Sequence, residues 1–136
     1  MFLNYSSGEV IRKFGIRGTE REQVLDVIAL CFSPDGKHIL VSDHACLRLF
    51  TVEGAFVRDL IPDILHIGYY IDVLYSGTCI FALNKHDYVY VFSAETGEHI
   101  RVISVRVSVP AYHPSSFTAY KNQLFVLKTD NMLVFE

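Results

Sequence analysis

A glycine followed four residues later by an arginine recurs three times along this chain. The three segments read Gly-Glu-Val-Ile-Arg, Gly-Ala-Phe-Val-Arg and Gly-Glu-His-Ile-Arg, and they begin at Gly8, Gly54 and Gly97. The spacings between these glycines are 46 and 43 residues. A repeat of this length indicates a fold built from copies of one supersecondary unit that stack on each other.

A second landmark follows the same period. Apolar stretches end in Phe50, Phe92 and Phe135, which are 42 and 43 residues apart. Within one unit, short apolar runs alternate with turn residues such as Ser33-Pro34-Asp35-Gly36, in which proline presets φ and glycine supplies a positive φ. No segment shows helical spacing of apolar residues over several turns. Four short antiparallel strands per repeat of about 43 residues are typical of a β-propeller blade.

The sequence therefore predicts an all-β fold, a β-propeller segment of about three four-stranded antiparallel blades. We expect residues 1–136 to form a single partial propeller. Its expected parts are a blade remnant at 1–15, blades at 24–60 and 69–103, and an incomplete blade at 115–136. The blades are offset by one strand, so that the N-terminal strand could complete a last blade. Three blades are too few for a ring, since propellers have roughly four to eight. Either the remainder of a larger propeller or a second copy, in a homodimer, is expected to complete it.

Composition supports a soluble intracellular domain with unpartnered apolar faces. The chain is 51% hydrophobic with a mean hydropathy of +0.28 and a net charge of −3. Its three cysteines have no Cys-x-x-Cys spacing, as is usual in a reducing compartment. No signal peptide and no apolar run of about 20 residues is present, so no membrane partner is expected. We expect a cytoplasmic location, with blade faces that pack on neighbours.

Two segments carry a resemblance to a known family. Residues 8–24 read GEVIRKFGIRGTEREQV, and residues 41–50 read VSDHACLRLF. These resemble the inter-blade link and the Val-Ser-Asp…Arg…Phe segment of NHL-repeat propellers. The resemblance covers about two fifths of the chain, and Cys46 stands where that family usually has asparagine. Asp43 is replaced by Asn84 and Lys128 in the later repeats, and Arg48 by Tyr90 and Leu133. WD40-like propellers are the second choice, because the chain contains no tryptophan.

The resemblance implies a non-catalytic NHL-type platform for protein–protein interaction, used as a scaffold or a substrate-recognition module. Aromatic and histidine side chains in the loops before the first and third strands of each blade suit a partner-binding surface. The candidate partner-binding residues are Tyr69, Tyr70, Tyr112, His44 and His86.

A metal-dependent lyase or hydrolase of propeller type is the enzymatic alternative. The resembled family includes a peptide-amidating lyase, which implies a zinc ion held by histidines at the ring mouth. Imidazole nitrogens can bind Zn²⁺ and leave a position open for activated water. The candidate metal ligands, for zinc or calcium, are His44, His66, His86 and His113. No local metal-binding motif groups them, and otherwise no cofactor and no catalytic residue are expected.

Single-stranded RNA binding is the third possibility, since some propellers of the resembled family bind RNA on a basic face. The candidate residues are Arg12, Lys13, Arg17 and Arg21. Glutamates interleave with them and the net charge is −3, so RNA is not the favoured partner. For the recurring arginines Arg12, Arg58 and Arg101, we expect a structural role. Their stems would cover apolar neighbours while their guanidinium groups face water.

Overall fold

The computed structural model describes residues 2–3, 5–13, 15–18, 20, 23–43, 46–61, 70–106, 114–128 and 131–135. Every regular element in these ranges is a β-strand. Four short strands come first: β1 (Phe2–Leu3), β2 (Val10–Arg12), β3 (Ile16–Arg17) and β4 (Gln23–Val24). β1 and β2 form an antiparallel pair, whereas β3 and β4 pair in parallel.

Three antiparallel sheets follow in chain order, each with its strands in sequence order. Sheet 1 contains β5 (Val27–Phe32), β6 (His38–Asp43), β7 (Cys46–Thr51) and β8 (Phe56–Leu60). Sheet 2 contains β9 (Tyr70–Ser76), β10 (Cys79–Asn84), β11 (Tyr88–Ser93) and β12 (His99–Ser104). The described part of sheet 3 contains β13 (Pro114–Tyr120), β14 (Gln123–Lys128) and β15 (Asn131–Phe135).

The three sheets stack face to face, and their first strands are neighbours in space. β5 contacts β9, and β9 contacts β13. Meandering sheets of three or four strands that stack in chain order are the blades of a propeller. The structure therefore confirms the predicted fold class, an all-β partial propeller.

Successive side chains of a strand point to opposite faces of its sheet. In these sheets both faces carry apolar side chains. We call the face toward the preceding sheet the back face and the face toward the following sheet the front face. The front face of sheet 1 carries Leu40, Leu47 and Leu49, which pack on Ile80 and Phe92 of the back face of sheet 2. The repeat thus places a dry apolar layer between these two sheets.

The second interface repeats the first with the equivalent residues of the next repeat. Leu83 and Val89 on the front face of sheet 2 pack on Leu124 and Val126 of the back face of sheet 3. The three phenylalanines of the repeat all lie on back faces. Phe50 and Phe92 are fully buried and Phe135 is half-buried.

Candidate functional site

The last residue of the second strand in each sheet is polar and buried. This position holds Asp43 in sheet 1, Asn84 in sheet 2 and Lys128 in sheet 3. A buried polar group must find hydrogen-bond partners or destabilise the fold. The contacts of these three side chains explain why the sequence differs from repeat to repeat here.

Asp43 binds the segment that leads into sheet 1. Its carboxylate accepts hydrogen bonds from the backbone N–H of Asp26 at 2.6 Å and of Leu25 at 3.0 Å. Arg48 lies 3.2 Å away as its ion-pair partner, and its guanidinium also donates to the carbonyl of Gln23. Asp59 lies 3.6 Å from Arg48 on the other side. This buried network fastens residues 23–26 to the back face of sheet 1.

Asn84 and Lys128 make different contacts at the same position. The Oδ1 atom of Asn84 accepts from the backbone N–H groups of His86 and Tyr88, both at 3.0 Å, and so closes the β10–β11 turn. Lys128 reaches across to sheet 2, where its Nζ lies 2.7 Å from the carboxylate of Asp87. Sheet 3 thus has the cation Lys128 where sheet 1 has the anion Asp43, and the neighbouring sheet 2 supplies the acidic partner of Lys128.

Two of the five candidate partner-binding residues lie in the described part of the chain. His86 is exposed in the β10–β11 turn. Tyr70 is only 2% exposed; its ring lies edge-on to that of Tyr90 with the centroids 5.5 Å apart. Burial raises the pKa of Tyr70. Tyr70 therefore packs between sheets 1 and 2, and its carbonyl accepts a hydrogen bond from Ser42 at 2.6 Å. The other three candidates, His44, Tyr69 and Tyr112, fall outside the described residues.

For the metal and RNA alternatives, the structure places only some of the candidates. Of the four candidate metal ligands, His44, His66 and His113 lie outside the described residues. Among the described ones, no three His, Cys, Asp or Glu side chains are grouped so as to hold a metal ion. Arg12, Lys13 and Arg17 are exposed, and Arg21 lies outside the described residues. Both alternatives stay predictions.

A groove lies between sheets 1 and 2, on the rim opposite His86. We call it groove 1–2; its volume is about 640 Å³. Its apolar lining includes Leu49, Val57, Tyr75 and Ile100, and Ile100 is 54% exposed. Ligand sites commonly have volumes of about 300–1,000 Å³ and apolar walls with a few polar groups. Sequence reasoning missed this groove because its walls come from turns and strands of two different repeats.

Charged side chains surround the apolar lining of groove 1–2. Asp35 lies in the β5–β6 turn, and Glu95 in the β11–β12 turn. The hydroxyl of Ser33 donates to the Asp35 carboxylate at 2.5 Å, and this bond lowers the pKa of Asp35. Burial raises the pKa of Tyr75 to about 12, so its hydroxyl stays neutral at physiological pH. The groove thus combines an apolar lining with two acidic groups at its mouth.

A second groove lies at the equivalent position between sheets 2 and 3. Its volume is about 520 Å³, and Phe81, Ile103 and Phe135 supply apolar walls. The charged residues that line it are Arg101 and Lys121, so its charge is opposite to that of the acidic pair in groove 1–2. The two grooves are therefore suited to partner groups of different charge.

The recurring glycine and arginine meet across the interface between sheets 1 and 2. Arg58 of β8 donates a hydrogen bond to the carbonyl of Thr96 in the turn that precedes β12. Gly97 in this turn has φ = +74°, and a Cβ there would lie 2.9 Å from Cδ of Arg58. The guanidinium therefore also binds the adjacent blade, a contact between repeats that the sequence did not predict.

Gly97→Ala is expected to destabilise the protein more than Gly36→Ala does. Both glycines have a positive φ, +74° and +69°, but a Cβ at Gly36 would meet nothing within 4 Å. The backbone cost of about 1 kcal/mol is common to both. Only Gly97→Ala also displaces Arg58. Urea unfolding followed by circular dichroism measures both changes. The excess loss should disappear when Arg58→Ala is the background, and an excess that persists there would contradict the contact.

The stacked sheets and their repeated interfaces define the class of protein as a partial β-propeller. The chain is similar to the crystal structure of the WD40 repeats of RRP9, with a TM-score of 0.69 at 18% identity. It is also similar to the computationally designed Ika8 protein, with a TM-score of 0.63 at 17% identity. The matches cover 88% and 81% of this chain but 36% and 33% of those chains.

These likenesses establish the fold. The chain spans about one third of the length of either solved structure. No known family profile matches the sequence, and no curated protein matches it. Among the described residues, no helix is both long and apolar enough to cross a membrane.

Proposed function

We propose that this chain is a non-catalytic propeller platform for protein–protein interaction and that groove 1–2 binds a segment of the partner. The observation that carries the proposal is a groove of about 640 Å³ with an exposed isoleucine on its wall. Its walls belong to two sheets that pack through a continuous apolar core. A rigid framework lowers the entropic cost of binding, because the groove does not need to be ordered by its partner.

The lining indicates the chemistry of the bound segment. Tyr75 and Ile100 offer apolar surface for one or two side chains of the partner. Asp35 and Glu95 favour positive charge beside them, whereas the guanidinium of Arg58 is already engaged with Thr96. A partner segment with an apolar residue flanked by lysine or arginine satisfies both features. No observation in the described residues favours the metal-dependent or the RNA-binding alternative over this one.

We further propose that the propeller is of the NHL type and that the protein is cytoplasmic. The NHL-like segments at residues 8–24 and 41–50 support an NHL-type propeller, and the composition supports a cytoplasmic location. The rim that carries the exposed His86 is a second candidate surface for a protein partner. Near it, the guanidinium of Arg106 lies 4.9 Å from the ring centre of Tyr88, which leaves an amphipathic patch beside that turn.

Selection of phage-displayed peptides on the purified chain tests the proposal. We expect peptides with an apolar residue next to basic ones. Ile100→Asp should raise their Kd at least tenfold, which corresponds to about 1.4 kcal/mol. The matched control is Ile61→Asp, because Ile61 is 72% exposed and does not line the groove. Fluorescence anisotropy measures the affinities, and circular dichroism verifies folding. Failure to enrich peptides, or equal binding to both variants, would overturn the proposal.

A further inference from the structure

The groove between sheets 2 and 3, which we call groove 2–3, is lined by two cations. They are Arg101 of β12 and Lys121 of the β13–β14 turn, and no aspartate or glutamate is among the described residues that line the groove. Within the described part of the chain, neither cation forms an ion pair, whereas Lys128 of sheet 3 is bound to Asp87. Groove 2–3 therefore presents positive charge that no described acidic side chain neutralises.

The backbone conformation of Lys121 is unusual for a residue with a side chain. Lys121 has φ = +54°, in the left-handed region that glycine adopts without steric cost. The strand registers place it at the position of Gly77, which has φ = +59° in the equivalent two-residue loop of sheet 2. Sheet 3 thus has a lysine where sheet 2 has the residue best suited to this backbone. Such a strained position in a groove indicates a functional role for its side chain.

The walls of groove 2–3 suit a peptide better than a small anion. Phe81, Ile103 and Phe135 supply apolar surface, and the volume is about 520 Å³. Ligand sites commonly combine such walls with a few polar groups that fix the orientation of the ligand. A free phosphate ion would leave the apolar walls uncovered. An acidic peptide can place carboxylates beside the two cations and apolar side chains against the walls.

Groove 2–3 is adjacent to groove 1–2 along one rim of the molecule. Both grooves are lined by Gly77 and Thr78 of the β9–β10 turn. A Cβ added at Gly77 would meet no atom within 4 Å, so the space beside this turn is open. Packed sheets lie about 10 Å apart, and an extended chain advances about 3.3 Å per residue. About three extended residues of a partner therefore span the distance between the two grooves.

We propose that groove 2–3 binds an acidic stretch of the same partner segment whose apolar and basic residues lie in groove 1–2. The link between the two grooves rests on the function proposed above for groove 1–2. Asp35 and Glu95 of groove 1–2 repel the acidic stretch. Arg101 and Lys121 of groove 2–3 repel the basic one. The opposite charges of the two grooves therefore fix the direction in which the segment crosses the three sheets.

Designed peptides test this arrangement. The probe is a fluorescein-labelled peptide in which Lys-Leu-Lys is joined by a Gly-Ser-Gly spacer to Glu-Leu-Asp-Glu. Fluorescence anisotropy should give a Kd about tenfold lower than for the same peptide with Gln and Asn in place of Glu and Asp. This gain should disappear when the spacer is moved to the end of the peptide, because the acidic residues then cannot reach groove 2–3.

The outcomes distinguish this inference from the proposed function of groove 1–2. Equal affinities of the charged and the neutral peptide, or a gain that persists without the spacer, would overturn the inference. If both peptides bind equally and Ile100→Asp weakens both, the function proposed for groove 1–2 still holds.

Lys121→Gly separates binding from stability. It removes the cation and gives the turn the residue that sheet 2 has there, so the free energy of unfolding, measured in urea, should not fall. The charged peptide should lose more than half of its gain on this variant, whereas Lys121→Arg should retain it. Lys13→Gly is the matched control, because it removes the same charge from an exposed residue that lines neither groove.

Three results with these variants would refute the role of groove 2–3. The first is a gain that keeps more than half of its size in Lys121→Gly, and the second is an equal loss in Lys13→Gly. The third is displacement of the charged peptide by oligouridylate that Lys121→Gly abolishes, since this result assigns the groove to RNA.

Discussion

Asp43→Ala is expected to lower the free energy of unfolding by about 3–5 kcal/mol, because it leaves a buried cation without its closest partner. The side chain of Arg48 is 10% exposed, and the carboxylate of Asp43 lies 3.2 Å from it. The backbone N–H groups of Leu25 and Asp26 lose their acceptor as well. Asp59 cannot substitute fully, since it stays 3.6 Å from the guanidinium. Urea unfolding at fixed protein concentration measures the change.

The chain offers its own control for this prediction. Sheet 2 has Asn84 and Tyr90 at the positions of Asp43 and Arg48, so a neutral pair is compatible with the blade. Asp43→Asn combined with Arg48→Leu removes both charges and retains an oxygen that accepts from the backbone. This double variant should recover more than half of the stability lost in Asp43→Ala. A loss below 1 kcal/mol for Asp43→Ala, or a double variant that is equally unstable, would show that the charge is not the cause.

The blade architecture could be predicted from the sequence because it depends on periodic features. The spacing of Phe50, Phe92 and Phe135 reflects one buried slot per sheet, and the turn residues mark where strands end. When the same position is buried in every repeat, an apolar residue recurs there at a fixed spacing, and this spacing can be recognised in the sequence. The number of strands in a blade and the order of the blades along the chain therefore follow from local signals.

Contacts between repeats could not be predicted in the same way. Lys128 looks like a departure from the pattern of Asp43 until its partner Asp87, in the neighbouring sheet, is known. The binding of Arg58 to Thr96 joins residues 38 positions apart. Tyr70 reads as a loop aromatic in the sequence, yet it starts β9 and is buried against Tyr90. Each of these depends on which sheets are neighbours, and a single sequence does not record that.

Groove 1–2 was missed for a related reason. Its charged residues, Asp35 and Glu95, belong to turns of different repeats, and each alone is typical of a solvent-exposed turn. Its exposed apolar residue, Ile100, occupies an outer strand whose half-exposed pattern gives no signal of binding. The groove is formed jointly by residues of sheets 1 and 2, so neither repeat alone indicates it.

Phe92→Ala is expected to cost about 3–5 kcal/mol, the range for removing a buried aromatic ring without refilling its space. Phe92 has no exposed surface and lies in the apolar layer between sheets 1 and 2, with its ring centre 5.5 Å from that of His99. Phe135→Ala removes the same ring from the equivalent position in sheet 3, where the side chain is only half-buried. The free energy of unfolding lost in Phe135→Ala should therefore be clearly smaller than that lost in Phe92→Ala. Thermal and urea unfolding at matched concentration compare the two. Equal losses at both positions would mean that the layer between sheets 1 and 2 contributes no more than the outer sheet does, and the stacked-blade account of stability would be wrong.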